Sequence, residues 1–390
     1  MDHEFSDLPK SSTPQQPQWE DTEQLQEVRE ELTNRPPLVT SEEVRQLRAD
    51  LAQVAAGKAR VIQAGDCAED PAESTVGYVT EKAGLVEVLA GVMKMVTHSP
   101  VVAAGRIAGQ FGKPRSSPTQ RVGDVEMPVY RGHMVNTPEP DPEGRKPDPR
   151  RLLTGYRAAS RIMDHLGWRN GSEESAIDSP IWTSHEALLL DYEVPMLRRE
   201  EDGGLLLTST HWPWIGDRTR QVDGAHVALL AEVVNPVACK VGPKTTVDEL
   251  LALCAKLDPR REPGRLTLIA RMGAEAVSEL LPPLVAAVRE AGHPVIWLCD
   301  PMHANTVTAA DGLKTRFLDK IMQEVREFQD AVGSSGGVAG GLHLETVADD
   351  VTECVPNESF VDEVGDKYTS FCDPRLNPSQ AVSVVSSWYG

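Results

Sequence analysis

The sequence has 390 residues, a formal net charge of −20 and six cysteines. This length allows one large domain with an extension, and the excess of acidic residues argues against nucleic-acid binding. No run approaches the roughly eighteen apolar residues that a membrane span needs. Because we find no secretory leader and the cysteines are sparse, we predict a cytoplasmic, reduced protein with no membrane or nucleic-acid partner.

The N-terminal residues predict a helical extension that precedes the main domain. Residues 1–18 are rich in Pro, Gln and Ser, a composition typical of disordered segments. A polar helix is predicted over 20–33, before the Asn-Arg-Pro-Pro segment. A second helix should begin near Ser41 and end at Gly57. We therefore predict an extension over 1–58 and a catalytic domain over 59–390.

Short apolar runs recur along the rest of the chain, and each ends on a residue that can bind a metal or an anion. Their spacing of roughly thirty to forty residues is that of repeated βα units. The runs end on Cys67, Arg106, Lys240, Arg271, His303, Glu345 and Asp373. We predict an α/β fold, a (β/α)8 TIM barrel, in which all strand C-termini open onto one face.

The segments between these runs are assigned by pattern and composition. Residues 79–96 and 151–167 have helical periodicity, and the Gly/Pro-rich stretch 109–150 predicts a long loop over the barrel mouth. A strand is predicted near 180–184, and residues 205–212 predict a hairpin strand beside the barrel.

Two sets of strand-end residues predict ligand chemistry. Cys67, His303, Glu345 and Asp373 offer a thiolate, an imidazole and two carboxylates, which suit manganese, cobalt, iron or zinc. They have no compact metal-binding spacing, so the alternative is a core cysteine, a loop histidine and two helix caps. The second set should face anions, because buried cations need partners. It comprises Arg106, Lys113, Arg115, Arg218, Arg220, Lys240, Lys244 and Arg271.

Motifs from about residue 36 to 378 together resemble the class II 3-deoxy-D-arabino-heptulosonate 7-phosphate (DAHP) synthases. The main ones are GDCAE, GRIAGQ, KPRS, SHEALLLDYE, WIG-RTRQ, CDPMH, the H-E of GGLHLE and CDPRLN. The resemblance implies a barrel with an N-terminal extension and a divalent metal, manganese or cobalt above iron or zinc. It implies condensation of phosphoenolpyruvate with erythrose 4-phosphate, the first step of the shikimate pathway and of aromatic biosynthesis.

The resemblance also implies a role for individual residues. The metal ligands would be Cys67, His303, Glu345 and Asp373. Phosphoenolpyruvate would be held by Arg106, Trp214, Asp217, Arg218, Lys240 and Arg271. Erythrose 4-phosphate would be held by Lys113, Pro114, Arg115 and Ser116. The catalytic residues would be Lys240, Asp217 and His303.

Three positions depart from the family pattern. Asp217 replaces a Glu, His133 an Asp and Ala304 a Gly. These changes leave two alternatives open: an amino-DAHP synthase of the aminoshikimate pathway, and a catalytically silent homologue that binds a partner enzyme.

The resemblance implies that family members serving primary aromatic synthesis carry an inserted helical pair before SHEALLLDYE, which takes part in feedback inhibition. The short connection over 168–183 resembles instead the members dedicated to secondary metabolism, such as phenazine (antibiotic) production. It predicts weak inhibition by aromatic amino acids. The family further implies a homo-oligomer, a dimer or tetramer, and chorismate mutase as a partner. Cys67 and Cys372 pose a separate hypothesis, a disulfide that would remove one metal ligand.

Overall fold

In the computed structural model, which describes residues 13–168 and 181–389, eight parallel strands close into a barrel. Each strand pairs with the next along the chain, and the eighth pairs with the first. The strands are β1 (Arg60–Gly65), β2 (Val101–Arg106), β3 (Trp182–Glu186), β4 (Trp212–Ile215), β5 (Val237–Val241), β6 (Leu266–Ala270), β7 (Ile296–Cys299) and β8 (Ala339–Glu345). The predicted (β/α)8 barrel is confirmed.

Helices surround the barrel and precede it. Within the described residues, those of eight residues or more are α1 (Thr22–Thr33), α2 (Ser41–Ala55), α3 (Val76–Thr97), α4 (Arg150–His165), α5 (Ala225–Glu232), α6 (Val247–Leu257), α7 (Val277–Glu290), α8 (Leu318–Ser334) and α9 (Pro378–Ser386). Every barrel strand except β3 is followed by one of them. After β3 there is only the short helix Leu190–Glu193, and α1 packs against it and against α4.

The second helix of the extension closes the N-terminal end of the barrel. Thr40 caps α2: its hydroxyl accepts from the Glu43 amide, and the Glu43 carboxylate accepts from the Thr40 amide. Leu47, Leu51 and Val54 of α2 are fully buried and belong to the cluster of apolar side chains inside the barrel. The extension is therefore joined to the barrel core.

The predicted disorder of residues 1–18 falls mainly on residues 1–12, outside the described part of the chain. Within that part, Gln16 donates from Nε2 to the Leu188 carbonyl at 2.8 Å, and its Oε1 accepts from the Leu190 amide at 3.0 Å. Gln15 accepts from the Arg115 amide at 2.8 Å. These contacts place residues 15 and 16 at the rim of the barrel, at the end where the strands terminate.

Two strand assignments from the sequence were wrong. The run that ends on Asp373 forms no strand; Asp373 lies in the long connection between β8 and α9. The fourth barrel strand, Trp212–Ile215, was not predicted as a barrel strand. Its first residue is the last residue of the run 205–212, which was assigned to a hairpin. A four-residue strand that contains a proline has too short a pattern to be recognised.

In the part of the chain that the structure describes, three two-stranded hairpins lie in the loops. The first, Thr119–Val122 with Val125–Pro128, lies in the predicted loop over 109–150. In the second, Leu205–Leu207 pairs with Leu197–Arg199, so the predicted hairpin strand ends earlier than expected. The third, Thr306–Thr308 with Lys314–Arg316, follows β7 and borders the site described below. No helix in the described residues is long and apolar enough to cross a membrane.

Candidate active site

One cavity at the C-terminal ends of the strands gathers nearly all the residues predicted for the site. Its volume is about 360 Å³. The predicted residues that line it are Arg106, Lys113, Pro114, Arg115, Ser116, Trp214, Asp217, Arg218, Lys240, Arg271, His303, Glu345 and Asp373. In a closed barrel, side chains from strands distant in sequence converge at this face.

Cys67 lies next to this cavity and completes the predicted metal-binding set. Ligand atoms of Cys67, Glu345 and Asp373 all lie within 4.8 Å of one another. His303 lies next to one member of this cluster, since its Nε2 is 3.5 Å from Glu345 Oε1. The structure thus brings together four side chains separated by up to about three hundred residues in the sequence, and the donor set suits a borderline divalent cation.

A cation of the protein already lies among these ligands. The ammonium of Lys113 is 3.1 Å from Cys67 Sγ, 3.1 Å from an Asp373 oxygen and 3.3 Å from Glu345 Oε1. The three donor groups therefore share one positive charge in this geometry, which fits the expectation that they hold a metal ion. Lys113, predicted for the sugar phosphate, is directly beside the metal-binding set.

Asp300 orients His303. The Nδ1 of the ring lies 2.8 Å from Asp300 Oδ2, and because a carboxylate only accepts, Nδ1 carries the hydrogen. Burial lowers the pKa of His303 to about 4 despite this neighbouring carboxylate. The neutral ring consequently presents an unprotonated Nε2 toward Glu345, as metal-binding histidines do.

Glu345 is the most heavily bound carboxylate of the set. Its side chain is fully buried, with Oε1 3.1 Å from Arg106 Nη2 and Oε2 2.9 Å from Arg316 Nη1. Burial alone would raise the pKa of Glu345, but Lys113, His303 and the two arginines hold it well below its ordinary value. The carboxylate is therefore ionised and fixed in orientation.

Cys67 has a lowered thiol pKa, which suits its predicted role as an anionic metal ligand. Its Sγ accepts from the Asp373 amide at 3.2 Å. Although burial alone would raise it, a hydrogen bond with Cys372 and the Lys113 ammonium lower the pKa of Cys67 to about 7. The two thiols are thus in contact, as the disulfide hypothesis requires.

The predicted phosphate-binding cations line the other side of the cavity. Lys240 is buried and donates to Asp300 Oδ2 at 2.8 Å. Burial, followed by the charge of Arg106, lowers the pKa of Lys240 although Asp300 opposes the shift. Arg271 pairs with Asp217 at 2.7 Å. Arg106 lies over the Trp214 ring, 5.4 Å from its centroid, so Trp214 supports that cation.

Two other predicted cations lie apart from the cavity. Arg220 pairs with Asp217 at 3.0 Å and with Glu249 at 2.6 Å, and Lys244 is exposed. Neither residue lines the cavity among the described residues. Arg218 does line it and is exposed to it.

Glu186, at the end of β3, is a carboxylate of the cavity to which the sequence assigned no role. Its Oε1 is buried and has no hydrogen-bond partner among the described residues. A side chain at Gly216 would place its first carbon 2.0 Å from this oxygen, so the glycine makes room for the carboxylate. Burial raises the pKa of Glu186, and Lys240 and Lys113 oppose that shift.

Comparison with known proteins gives the family of the chain. The Class-II DAHP synthetase family matches residues 4–169 and 157–387. The chain belongs to the class II DAHP synthase family. It is 58% identical over 375 residues to a probable phospho-2-dehydro-3-deoxyheptonate aldolase of Pseudomonas fluorescens, covering 96% of this chain and 94% of that protein.

More distant relatives extend the comparison. A phospho-2-dehydro-3-deoxyheptonate aldolase of Streptomyces coelicolor is 39% identical over 429 residues, covering 98% of this chain and 95% of that protein. A solved aldolase of the same name from Francisella tularensis superposes with a TM-score of 0.56, covering 94% of this chain and 97% of that one. At 15% identity, that likeness shows the fold alone.

The three departures from the DAHP synthase pattern occupy different places. Asp217 lines the cavity and holds Arg271. Ala304 also lines it, in a left-handed conformation with φ of 74°. His133 is bonded to the Tyr130 hydroxyl at 2.7 Å and does not line the cavity among the described residues. The change at His133 therefore lies outside the described lining of the cavity.

Sequence reasoning missed several functional positions of this DAHP synthase family member. Asp300 lies three residues before His303, and that spacing could have indicated an orienting carboxylate. Arg316 and Lys314 come from the third hairpin; Arg316 holds Glu345, and Lys314 pairs with Asp373 at 2.9 Å. No sequence signal distinguishes these cations from surface residues. Their role follows from how the hairpin folds over the barrel.

A larger cavity lies at the opposite end of the barrel. It has a volume of about 1190 Å³ and is lined by α2, α3 and residues 168, 181 and 182. It contains several carboxylates but none of the predicted ligands, and it adjoins residues outside the described part of the chain. We therefore assign the chemistry to the smaller cavity at the strand C-termini.

Proposed function

We propose that this protein is a metal-dependent DAHP synthase that condenses phosphoenolpyruvate with erythrose 4-phosphate and releases phosphate. The single observation that carries the proposal is the convergence of thirteen predicted residues on one cavity, two of which, Glu345 and Asp373, form a compact cluster with the Cys67 thiol. The membership of the chain in the class II family supports the same activity.

The cations of the cavity would first neutralise the two anionic substrates. We assign phosphoenolpyruvate to Arg106, Arg218, Lys240 and Arg271 with Trp214, and the sugar phosphate to the Lys113–Ser116 loop. Charge neutralisation lets the two carbons approach, and fixed cations stabilise the charge that develops. The ion pairs described above hold three of these cations in place.

A divalent cation, manganese or cobalt above iron or zinc, would be held by Cys67, His303, Glu345 and Asp373 and would polarise the aldehyde oxygen. The methylene carbon of phosphoenolpyruvate then forms a bond to the aldehyde carbon. Lys240 lines the cavity and would deliver a proton from Nζ to the new alkoxide, which becomes a hydroxyl, and the lowered pKa of Lys240 favours that transfer.

Water completes the reaction by adding to the former enol carbon, after which the carbon–oxygen bond to phosphate breaks. The resemblance placed Asp217 among the catalytic residues. Both Asp217 oxygens are, however, engaged by arginines, whereas Glu186 Oε1 has no partner among the described residues. We propose that Glu186 accepts the proton of the water and that Asp217 positions Arg271.

We also propose a specialised pathway for the product. The alignment with the Streptomyces relative spans 429 positions, more than the 390 residues of this chain, so that relative has inserted residues. The Pseudomonas relative aligns over 375 residues without that excess. The predicted short connection after α4 falls on residues 169–180, outside the described part of the chain.

The remaining assignments follow from the family. We propose a cytoplasmic homo-oligomer, a dimer or tetramer, with an extension over 1–58, a catalytic barrel over 59–390, and chorismate mutase as a candidate partner. Light scattering after size-exclusion chromatography measures the oligomeric state, and repeating it with added chorismate mutase tests the partner.

The decisive experiment measures phosphate release from phosphoenolpyruvate. We expect release that depends on erythrose 4-phosphate, stops on addition of a chelator and returns with Mn²⁺ or Co²⁺. Faster release with the aminated sugar phosphate would instead support the aminoshikimate reaction. No turnover with either sugar and either metal would contradict the proposal and support a silent homologue.

A further inference from the structure

Glu324 is a buried carboxylate that no step above uses. It lies on α8, behind the loops that follow β6 and β7, and only 1% of its surface is exposed. Among the described residues it forms no ion pair with an arginine, lysine or histidine. A carboxylate buried without a cation is costly, so its local contacts must account for it.

Its partners are backbone amides of the loop after β6. Glu324 Oε1 accepts from the Met272 amide at 3.0 Å and from the Gly273 amide at 2.8 Å. These are the two residues directly after Arg271, whose own amide donates to the Val241 carbonyl. The carboxylate therefore fixes the backbone that carries one of the proposed phosphoenolpyruvate cations.

The other oxygen holds the loop after β7. Asn305 donates from Nδ2 to Glu324 Oε2 at 2.5 Å and to the Pro301 carbonyl at 2.9 Å. Its Oδ1 accepts from the Ala274 amide at 3.0 Å. Asn305 is two residues after His303, so one side chain bridges the loop of the proposed metal ligand to the loop of Arg271.

The backbone between these contacts is held in an unfavourable conformation. Ala304, between His303 and Asn305, has φ of 74°, a left-handed conformation that is unfavourable for a residue with a side chain. A side-chain carbon at Gly273 would lie 3.3 Å from the Ala304 methyl. The two loops thus touch at this point, and the contacts of Asn305 keep them there.

The chemistry of the contacts requires both residue types. Every described group that hydrogen-bonds to the Glu324 carboxylate is an N–H donor. A glutamine at this position would present its own N–H₂ to the N–H₂ of Asn305. If the Asn305 amide rotated to accept from the glutamine, the N–H₂ of Asn305 would face the Ala274 N–H, which is also a donor. Neither arrangement satisfies all the donors, so replacement by glutamine breaks the bridge while it keeps the volume.

We propose that Glu324 and Asn305 are positioning residues that lock the Arg271 loop to the His303 loop, and so couple phosphoenolpyruvate binding to metal binding. The inference rests on the proposed function, because that function assigns the two ligands to these loops. Misplacement of binding groups by about 1 Å can cost a factor of about one hundred, and residues that orient metal ligands affect metal affinity by about ten- to one-hundred-fold.

The test is Glu324→Gln, with Glu327→Gln as the matched control. Glu327 lies three residues further along α8, where it accepts from Ser278 and Gln323 and touches neither loop. For Glu324→Gln we expect about a ten-fold rise in both the KM for phosphoenolpyruvate and the Kd for Mn²⁺. The KM for erythrose 4-phosphate and all constants of the control variant should stay within about two-fold.

Binding measurements separate this inference from the proposed function. Calorimetry with phosphoenolpyruvate and electron paramagnetic resonance of free Mn²⁺ need no turnover, so they report on the bridge even if the condensation is not observed. If the wild type turns over and folded Glu324→Gln keeps both affinities, the inference is wrong and the function stands. A loss of thermal stability with unchanged affinities would also overturn it.

A second variant guards against a failure of Glu324→Gln to fold. Asn305→Ala removes one end of the bridge from a partly exposed loop and should raise the same two constants. In the double variant, Glu324→Gln should add less than it does alone, since residues of one hydrogen-bonded unit are not additive. Fully additive effects, or an Asn305→Ala variant with wild-type affinities, would contradict the coupling.

Discussion

Asp217 and Arg271 form an ion pair at the mouth of the barrel, with Oδ2 of the carboxylate 2.7 Å from Nη1 of the guanidinium. The other oxygen, Oδ1, lies 3.0 Å from Arg220 Nε. Burial alone would raise the pKa of Asp217, but these two arginines lower it. Asp217 is thus held as an anion between two cations, and it determines where Arg271 points.

Replacement of this carboxylate should therefore affect binding more than chemistry. We expect Asp217→Asn to raise the KM for phosphoenolpyruvate by about ten-fold, since a charge-assisted hydrogen bond contributes about 1.5–3 kcal/mol, while kcat changes little. Steady-state kinetics measures both constants. Asp223→Asn, at an exposed carboxylate six residues away, is the control. A fall in kcat at constant KM would contradict this assignment and would instead give Asp217 a role in the chemical step.

Glu186→Gln should affect kcat rather than the KM for phosphoenolpyruvate. Removal of a general base costs about 10²- to 10⁴-fold in kcat, and the KM for phosphoenolpyruvate should stay nearly constant. Because burial raises the pKa of Glu186, wild-type kcat should fall as the pH drops through that raised value, as the carboxylate takes up a proton. Glu201→Gln, at an exposed residue, should behave as wild type. An active Glu186→Gln variant with an unchanged pH profile would rule the role out.

Cys67 and Cys372 should make the metal-free protein sensitive to oxidation. Diamide accepts two electrons and two protons from the two thiols, and a sulfur–sulfur bond forms between them. We expect the oxidised protein to lose Mn²⁺ binding, while bound metal protects it and Cys372→Ser resists treatment. Mass spectrometry of peptides and Mn²⁺ titration provide the readouts. Full Mn²⁺ binding after oxidation, or a disulfide absent from the peptides, would contradict the hypothesis.

His211 should make the fold sensitive to acid. Its ring packs against both Trp168 and Trp182, and Nδ1 accepts from the Thr183 amide at 3.1 Å. Burial lowers the pKa of His211 although Glu43 opposes the shift. Below pH ~6.5, His211 binds a proton in the unfolded chain but stays neutral in the folded protein. The free energy of unfolding should therefore fall as the pH decreases.

Urea unfolding at pH 7.5 and 5.5 measures this contribution. The stability difference between wild type and His211→Gln should be smaller at pH 5.5 than at pH 7.5. His165→Gln, at an exposed position of α4, is the control and should show a constant difference. A difference for His211→Gln that does not change with pH would exclude the mechanism.

Aromatic amino acids should inhibit the enzyme weakly or not at all. The connection from the end of α4 to β3 covers residues 166–181, and an inserted helical pair needs about 25 residues or more. Steady-state rates with micromolar tryptophan plus phenylalanine provide the test, with the rate in their absence as reference. Strong inhibition would show that a regulatory site exists without the inserted pair and would weaken the proposed specialised role.

Local pattern was sufficient for much of the fold. The capped start of α2 and the apolar strands β1, β2, β5 and β6 are visible as short-range regularities, because capping and strand burial depend on neighbouring residues. The same regularities misplaced the strand at Asp373 and missed β4. Four residues, Trp212–Ile215, form a barrel strand because β3 and β5 lie on either side of them.

The sequence by itself determined the barrel class and the family, and it predicted most of the side chains that line the cavity, since most of them follow a recognisable apolar run or lie in a family motif. Only the tertiary structure decided how these side chains divide the work. Asp217 contacts Arg271, and Glu324 contacts Asn305, across different loops of the barrel, and Glu186 Oε1 has no partner among the described residues. Such contacts are set by barrel closure and loop packing, which no local pattern encodes.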